Sequence, residues 1–258
     1  MVQPAKSLRN KVAIVTGASR GIGKGLALGL AEAGAAVICA ARTVDRNPDG
    51  LPGNIFETAE EIRSQGGEAL AIRCDIGVES DIRAMADTTL AEFGRIDVLM
   101  NNAMTSTRGL FEEMTPEMWD TSMRVNVRSL FSTVKAVLPA MKEQGGGSII
   151  NMSSGAAASF TEGMPPGYLA YSVAKAALER FSTALALEVA GYGIAVNALR
   201  PGAVKTETSV HELGEDYDWT GWLTPASVVP SVLFLSEQTG SGLTGKVVDA
   251  REFGDTWP

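Results

Sequence analysis

The sequence predicts an α/β fold in which a doubly wound parallel sheet of about seven strands carries helices on both faces. Short, β-branched apolar runs alternate with longer segments of helical pattern along the chain. The first run leads through a glycine-rich turn into a helix, the unit from which Rossmann-type sheets are built. No linker, repeat or low-complexity segment interrupts this order, so one domain over residues 1–258 is expected.

The individual elements follow from these runs in chain order. The predicted strands are Val12–Thr16, Ala36–Ala41, Glu68–Arg73, Val98–Asn101, Ser148–Met152, Ala195–Leu199 and Lys246–Asp249. The predicted helices between them span roughly 21–33, 55–66, 79–93, 116–143, 169–191 and 225–236. The Gly145-Gly146-Gly147 segment is interpreted as the turn before the fifth strand rather than as a domain boundary.

The glycine-rich turn predicts a phosphate-binding site. It reads Gly17-Ala18-Ser19-Arg20-Gly21-Ile22-Gly23 and lies between the first strand and the first helix. Glycines permit the tight turn and a close backbone approach, and the helix N-terminus offers free N–H groups and a positive dipole. The spacing G-x-x-x-G-x-G differs from G-x-G-x-x-G, and the alternative is simple packing of strand on helix. The order of strand, turn and helix favours a dinucleotide.

A tyrosine and a lysine on one helical face indicate acid–base chemistry. Tyr171 and Lys175 are four residues apart near the start of a predicted helix, so their side chains share a face. A phenol titrates near pKa ~10, which is too high for a good general base at neutral pH. An ammonium one turn away favours the phenolate and is expected to lower the pKa of Tyr171. The alternative is an ordinary solvated helix face.

Composition and charge exclude several classes of partner. The formal net charge of −8 argues against nucleic acid and anionic membranes as partners, and an acidic surface is typical of solubility alone. The chain has no run of ~18 apolar residues that could span a membrane, and Met1 to Asn10 lacks an apolar signal core. We expect a cytoplasmic protein with no membrane insertion.

The two cysteines predict neither a disulfide nor a metal site. Cys39 and Cys74 fall at the ends of predicted buried strands, where reduced core residues are the simpler interpretation. Neither cysteine has metal-ligand spacing, so no metal is expected.

Several further motifs resemble those of the short-chain dehydrogenase/reductase family, in that family's order and over nearly the whole chain. These are Thr16 to Gly23, Asp75-Ile76, Asn101-Asn102-Ala103, Asn126, Ser153-Ser154, Tyr171 with Lys175, and Arg200-Pro201-Gly202. The segment from Arg42 to Ile62 is also similar to the dehydrogenase domain of hydroxysteroid dehydrogenase-like proteins. The resemblance implies an oxidoreductase that transfers a hydride between NAD(P)(H) and a small-molecule carbonyl or secondary alcohol.

The same resemblance implies four catalytic residues. Ser154 would donate a hydrogen bond to the substrate carbonyl oxygen. The adjacent Ser153 is the alternative candidate, but the register favours Ser154, and Ser153 would then be an ordinary cap or loop residue. Tyr171 would protonate the alkoxide in reduction or accept the alcohol proton in oxidation. Lys175 would hold the nicotinamide ribose, and Asn126 would position a water in the proton relay. Read alone, Asn126 is a polar interruption of an apolar helix.

Charge at the end of the second strand favours NADP(H), with NAD(H) possible. NAD sites usually place an acidic residue there to bind the ribose 2′-hydroxyl. This chain has Arg42 instead, which could pair with the 2′-phosphate of NADP, and Arg20 could assist. The alternative is that both arginines are solvated, and the nearby Asp45 keeps NAD possible.

The resemblance extends the cofactor site to other loops. Asp75 would bind the adenine amino group, Asn102 and Ala103 would line the cofactor, and Pro201, Gly202 and Thr206 would meet the nicotinamide amide and phosphates. The full expected set is Gly17, Ser19, Arg20, Gly21, Ile22, Gly23, Arg42, Asp75, Ile76, Asn102, Ala103, Tyr171, Lys175, Pro201, Gly202, Val204 and Thr206.

Three long loops follow strand ends, where open α/β sheets bind ligands. They are Ala103–Thr115, Gly155–Gly167 and Pro201–Thr224. The last contains Tyr217, Trp219 and Trp222, which could form a lid over an apolar substrate or a packed surface or subunit contact. His211, the only histidine, is interpreted as an exposed loop residue.

Other functions and assemblies remain open at this point. An epimerase or dehydratase would keep the fold without consuming cofactor, and a non-catalytic dinucleotide-sensing protein would typically lack Ser154, Tyr171 or Lys175, which are all present. The helices at roughly 116–143 and 169–191 are more apolar than packing on one sheet face requires. Family members pair these helices across two-fold axes, so a homotetramer or homodimer is expected.

Overall fold

A computed structural model describes residues 7–45, 50–158 and 166–258 of the chain. Parts of the Arg42–Ile62 segment and of the Gly155–Gly167 loop lie outside the described residues. Seven parallel strands form one sheet in the order β3-β2-β1-β4-β5-β6-β7. They are β1 Val12–Thr16, β2 Ala36–Ala41, β3 Glu68–Arg73, β4 Val98–Asn101, β5 Gly147–Met152, β6 Ile194–Arg200 and β7 Val247–Asp249. All the predicted strands are confirmed, with ends shifted by at most one residue.

The helices connect the strands and cover both faces of the sheet. They are α1 Gly21–Glu32, α2 Ile55–Ser64, α3 Glu79–Phe93, α4 Pro116–Met123, α5 Ser129–Glu143, α6 Leu169–Val189, α7 Glu207–Leu213 and α8 Pro225–Ser236. Local sequence signals explain where several helices begin. Asn54 caps the N-terminus of α2. Thr115 and Thr224 cap α4 and α8, and in these two helices a proline occupies the first helical position.

Two sequence-based expectations about these helices are wrong. The segment 116–143 is not one regular α-helix, because a π-helical turn, Arg124–Arg128, separates α4 from α5. The predicted loop Pro201–Thr224 contains α7, whose start is set by a capping box between Thr206 and Ser209. Helical periodicity alone could not reveal either, since a π-turn disturbs the apolar pattern little and α7 has too few residues to show a period.

Alternate residues of each central strand contribute to two separate cores. Ala13 and Val15 of β1 pack with α1, α2 and α8, whereas Val12 and Ile14 pack with α3, α5 and α6. All five β1 residues are buried, which explains why the strand reads as a continuous apolar run. This is the arrangement of helices on both faces that the sequence predicts.

The strand order creates a crevice at one edge of the sheet. The chain runs outward from β1 to β2 and β3, and then returns to place β4 on the other side of β1. Ligands of open α/β sheets bind where the order reverses, beyond the carboxyl ends of the strands. The segments that follow β1, β4, β5 and β6 are therefore the ones to examine for a site.

Candidate active site

The glycine-rich turn and the end of β4 hold each other in place. Asn102 donates from Nδ2 to the carbonyl of Thr16 at 2.9 Å, and the Thr16 hydroxyl accepts from the amides of Asn102 and Ala103 at 3.0 and 3.1 Å. Gly17 has φ +73°, and a Cβ there would lie 2.8 Å from Asn102 Nδ2. A Cβ on Gly23 would overlap the Gly17 carbonyl oxygen. Both glycines are thus required by close backbone packing.

The first turn of α1 presents its amides to the crevice. The amide of Gly21 donates to the Glu207 carboxylate, N to Oε2, at 2.9 Å. This bond joins the start of α1 to the start of α7, and Thr206 lies against Gly21. A carboxylate held at this helix N-terminus shows that the turn accepts an anionic group, as a diphosphate site requires.

Two arginines lie at the end of β2, as the sequence predicts. Arg42 is exposed directly after the strand. Arg20 reaches the same strand end: its Nη2 lies 3.3 Å from Thr43 Oγ1 and 3.2 Å from the Gly53 carbonyl, and its Nε lies 3.0 Å from the Pro52 carbonyl. The Pro52-Gly53 segment therefore holds the guanidinium of Arg20 close to the end of β2, the strand that Arg42 follows. Asp45 is exposed nearby in sequence.

Ser154 and Tyr171 meet beyond the end of β5. A hydrogen bond from the Ser154 hydroxyl favours the phenolate of Tyr171, and Arg108 acts in the same direction. Burial is the largest influence, however, and it raises the pKa of Tyr171 above its usual value. The expectation that Lys175 lowers this pKa is therefore wrong for this structure.

Lys175 explains that correction, because its ammonium is directed at the protein backbone. Its Nζ donates to the Met152 carbonyl at 2.6 Å and lies 5.6 Å from the centre of the Tyr171 ring. Burial lowers the pKa of Lys175 to about 8, and the Glu179 carboxylate opposes this shift. Burial therefore favours the neutral amine more than it does for an exposed lysine.

Asn126 lies in the π-helical turn and is hydrogen-bonded to the loop after β4. Its Oδ1 accepts from the Thr105 amide at 2.9 Å, and its Nδ2 donates to the Thr105 carbonyl at 2.9 Å and to Ser122 Oγ at 3.3 Å. The side chain is buried. The π-turn aims this amide at the loop, and such turns are frequent at functional sites.

The remaining expected cofactor residues have mixed local roles. Asp75 follows β3 and its Oδ1 accepts from the Gly77 amide at 2.8 Å, with Ile76 buried between them. Pro201 and Val204 are buried after β6, and Gly202 has φ +77°. Ser19 and Ile22 belong to the glycine turn, where Ser19 is buried. All lie on segments that follow strand ends, along the same edge of the sheet.

Sequence reasoning missed Glu179 and Arg108, two charged residues close to this site. Glu179, one turn after Lys175, accepts from Ser153 Oγ at 2.7 Å and pairs with both sides of the Arg200 guanidinium at 2.7 and 2.8 Å. Arg108, in the loop after β4, pairs with Glu212 of α7 at 2.7 Å. The spacing of Glu179 from Lys175, one helical turn, was the one feature of the sequence that could have indicated Glu179. No feature of the sequence indicated Arg108.

Arg108 ties the loop after β4 to its neighbours. Its guanidinium lies 4.7 Å from the centre of the Tyr168 ring, and that ring meets Tyr171 edge-on with centroids 6.2 Å apart. The amide of Gly109 donates to the Gly167 carbonyl at 3.0 Å. The loops after β4, β5 and β6 are thus joined over the Ser154–Tyr171 pair.

The aromatic residues of the last loop pack on one another. Tyr217, Trp219 and Trp222 have ring centroids 5.0–5.8 Å apart, and Lys205 Nζ lies 4.8 Å from the Trp219 ring. His211 is exposed, as expected, but it lies on α7 rather than in a loop.

The described residues contain no group of three or more His, Cys, Asp or Glu side chains that could hold a metal ion. Cys39 and Cys74 are buried free thiols whose pKa values burial raises to about 12. In the part of the chain that the structure describes, no helix is long and apolar enough to cross a membrane.

Comparison with known proteins agrees with this geometry. A family model described as short chain dehydrogenase matches residues 11–216. The short-chain reductase protein NovJ of Streptomyces niveus is 36% identical over 254 residues, 93% of this chain and 92% of that protein. A Beutenbergia cavernae structure, provisionally named an NAD(P)-dependent gluconate 5-dehydrogenase and holding NADP at low occupancy, has a TM-score of 0.81 at 33% identity, covering 95% of this chain and 96% of that one.

A second solved structure is similar to the same degree. A 7α-hydroxysteroid dehydrogenase complexed with NADH and 7-oxo glycochenodeoxycholic acid has a TM-score of 0.79 at 30% identity, covering 95% of this chain and 94% of that one.

The fold and the crevice define an NAD(P)-dependent oxidoreductase built on a Rossmann-type sheet. The chain belongs to the short-chain dehydrogenase/reductase family.

Proposed function

We propose that this enzyme, as a single domain over residues 1–258, transfers a hydride between NADP(H) and a carbonyl or secondary-alcohol substrate. The observation that carries the proposal is the meeting of Ser154 with Tyr171 beside Lys175, at the sheet edge that also holds the glycine turn. Relatives support the reaction type: NovJ is named a reductase, and the hydroxysteroid dehydrogenase structure contains NADH with a 7-oxo compound.

Each side chain has a role that its surroundings support. The bound cofactor supplies or accepts the hydride. Ser154 donates to the substrate oxygen and stabilises charge that develops there. Tyr171 delivers a proton to that oxygen in reduction, and its raised pKa keeps the phenol protonated for this task at neutral pH. Lys175, whose Nζ is held on the Met152 carbonyl, would place a cation beside the cofactor ribose. Asn126 orients the loop after β4 and would position a water of the proton relay.

The cofactor would be held along the whole edge of the sheet. The glycine turn would take the diphosphate on α1 amides such as that of Gly21. The strand ends would take the rest, with Asp75 and Ile76 at the adenine, Asn102 and Ala103 along the cofactor, and Pro201, Gly202, Val204 and Thr206 at the nicotinamide end.

A preference for NADP(H) over NAD(H) rests on Arg42 and Arg20. Both cations lie at the end of β2, and no carboxylate occupies the neighbouring strand positions Ala40 and Ala41. Arg42→Ala should lower the ratio of kcat/KM for NADPH over NADH, whereas Arg83→Ala, an exposed arginine on α3, should leave it unchanged. Equal efficiency with both cofactors in the parent enzyme would contradict this preference.

The reaction itself is tested by a panel of ketones, oxoacyl compounds and oxo-steroids, following loss of NADPH absorbance. Ser154→Ala is the matched inactive variant, because it removes the hydroxyl that would contact the substrate oxygen, and thermal unfolding checks for the loss of its hydrogen bond from the Ala156 amide. Product formation without change in NADPH would instead identify an epimerase or dehydratase. Tight cofactor binding with no turnover of any substrate would favour a dinucleotide-sensing protein.

The proposal includes a homotetramer or homodimer in the cytoplasm. Large apolar side chains are exposed on α5 and α6, with Phe131 54% and Leu187 86% accessible, and such faces favour closed symmetric pairing. The free, buried state of both cysteines fits a reducing compartment. The acidic charge makes nucleic acid an unsuitable partner.

A further inference from the structure

Helix α6 presents three polar side chains, one turn apart, to the end of β5. Tyr171 meets Ser154, Lys175 donates to the Met152 carbonyl, and Glu179 accepts from Ser153. The first two contacts belong to the proposed catalytic set. The third is a carboxylate that the reaction itself does not use.

Glu179 is anchored from a second strand. The guanidinium of Arg200, the last residue of β6, contacts both carboxylate oxygens at 2.7 and 2.8 Å. The Glu179 and Arg200 side chains are only 12% and 28% exposed, so this bidentate pair is well shielded from water. Pro201 and Gly202, which the proposed cofactor contacts, follow Arg200 directly. One carboxylate therefore connects the three segments that carry Ser154, Lys175 and Gly202.

We infer that Glu179 is a positioning residue, which with Arg200 aligns the Ser153-Ser154 turn against α6 and fixes a carboxylate one helical turn from Lys175. The inference deepens the proposed function and rests on it for the role of Lys175. Glu179 does not touch the reacting atoms, and it acts through Lys175 and Ser153.

The charges around Lys175 make the expected sign unambiguous. On α6 its neighbours are Tyr171 and Glu179. Arg200 of β6 pairs with Glu179 and is itself influenced by Asp249 and Glu252, and Arg108 from the loop after β4 acts on Tyr171. The turn after β5 contributes hydroxyls only. Glu179 is the carboxylate that opposes the effect of burial on Lys175. Removal of its charge would leave the effect of burial on Lys175 unopposed, which favours neutral lysine.

The experiment uses charge changes of opposite sign. In carbonyl reduction both Tyr171 and Lys175 act in protonated form, so the alkaline limb of kcat/KM against pH reports the coupled pair. Glu179→Gln should move this limb to lower pH by about one unit. Arg200→Gln should move it to higher pH, and the double variant should return it near the parent position because no net charge has changed.

Two further variants separate electrostatics from simple damage. Glu179→Asp retains the charge, so the alkaline limb of kcat/KM should stay at its parental pH even where kcat falls. Glu188→Gln, on the exposed face of the same helix, should change neither the position of the limb nor kcat. Thermal unfolding identifies any single variant that fails to fold, in which case the other charge-changing single variant, whose limb should move in the opposite direction, still tests the charge against Glu179→Asp.

The outcomes are distinct. Equal loss of rate in Glu179→Gln and Glu179→Asp, with the limb unmoved, would show a structural role alone and overturn the inference. Absence of any NADP(H)-linked turnover in the parent enzyme would instead remove the proposed function. In that case the inference is tested by titrating Lys175 directly. The 13Cε signal of Lys175 is followed against pH in lysine-labelled protein and is assigned by comparison with Lys175→Arg. A lower midpoint in Glu179→Gln supports the inference, and an unchanged midpoint overturns it.

Discussion

At the scale of single residues, burial controls the proposed chemistry more than the spacing of charges does. Tyr171 and Lys175 share a helix face, but the ammonium of Lys175 is bound to the Met152 carbonyl. Burial then raises the pKa of the phenol and lowers that of the amine. Burial therefore favours the neutral form of both groups, and it places the pKa of the lysine below that of the phenol.

Tyr171→Phe removes the phenol oxygen and little else. We expect kcat to fall by about 10²–10⁴-fold, the usual contribution of a positioned acid. Binding of NADPH, followed by fluorescence titration, should be unchanged because the ring still packs. Tyr192→Phe, at an exposed tyrosine, is the matched control. Near-parental turnover in Tyr171→Phe would show that another group donates the proton.

Lys175 should make stability depend on pH in a defined window. Its pKa is lowered to about 8 in the folded chain, against 10.5 for an unperturbed lysine. Between these pH values the unfolded chain binds the extra proton, so stability rises with pH across this window and is constant below it. Compared with Lys175→Met, the parent should gain about 3 kcal/mol in free energy of unfolding from pH 8 to 10.5.

Denaturant unfolding of both proteins at several pH values measures this difference. Parallel curves for parent and variant would show that Lys175 titrates normally in the folded protein.

At the scale of elements, α7 connects the two halves of the site. Its first residue, Glu207, bonds the Gly21 amide at the start of α1, and its Glu212 pairs with Arg108 in the loop after β4. Its N-terminal cap, Thr206, belongs to the expected cofactor set. The helix therefore links the expected diphosphate position to the loop over Tyr171.

Glu207→Gln should strengthen cofactor binding. A carboxylate 2.9 Å from the Gly21 amide repels a diphosphate that approaches the same helix N-terminus. We expect the Kd for NADPH to fall by up to about fivefold at low ionic strength, with a smaller gain in high salt. Glu237→Gln, an exposed residue after α8, is the control. Weaker NADPH binding in Glu207→Gln would mean that the carboxylate instead helps to order the site.

At the scale of the whole molecule, the two helices that the sequence singled out both carry exposed large apolar side chains. Phe131 on α5 and Val173 and Leu187 on α6 are between 41% and 86% exposed. Both helices also line one core of the sheet, so their outer faces are available in addition to the packed ones. Pairing there would stiffen the helix that carries Tyr171, Lys175 and Glu179.

Phe131→Asp should therefore reduce the particle mass. The charged side chain would be buried without a partner in a paired interface, whereas in a monomer it would stay in water. Light scattering should show a mass near the 27.1 kDa of one chain for the variant and a multiple of it for the parent, with activity falling in parallel. Phe56→Asp, at a similarly exposed phenylalanine on α2, should remain at the parental mass. A parent of 27.1 kDa would exclude the oligomer.

The sequence by itself determined the sheet, its strands and the glycine turn, because strands buried on both faces must be short apolar runs and a phosphate turn needs glycine. It also placed Ser154, Tyr171, Lys175 and Arg42 on segments that share one edge. Only the tertiary structure decided that Lys175 points at Met152, that Glu179 pairs with Arg200, and that α7 and a π-turn interrupt the expected pattern. Contacts between residues far apart in the chain depend on packing geometry, and burial sets the pKa of each group; neither leaves a period or a spacing in the sequence.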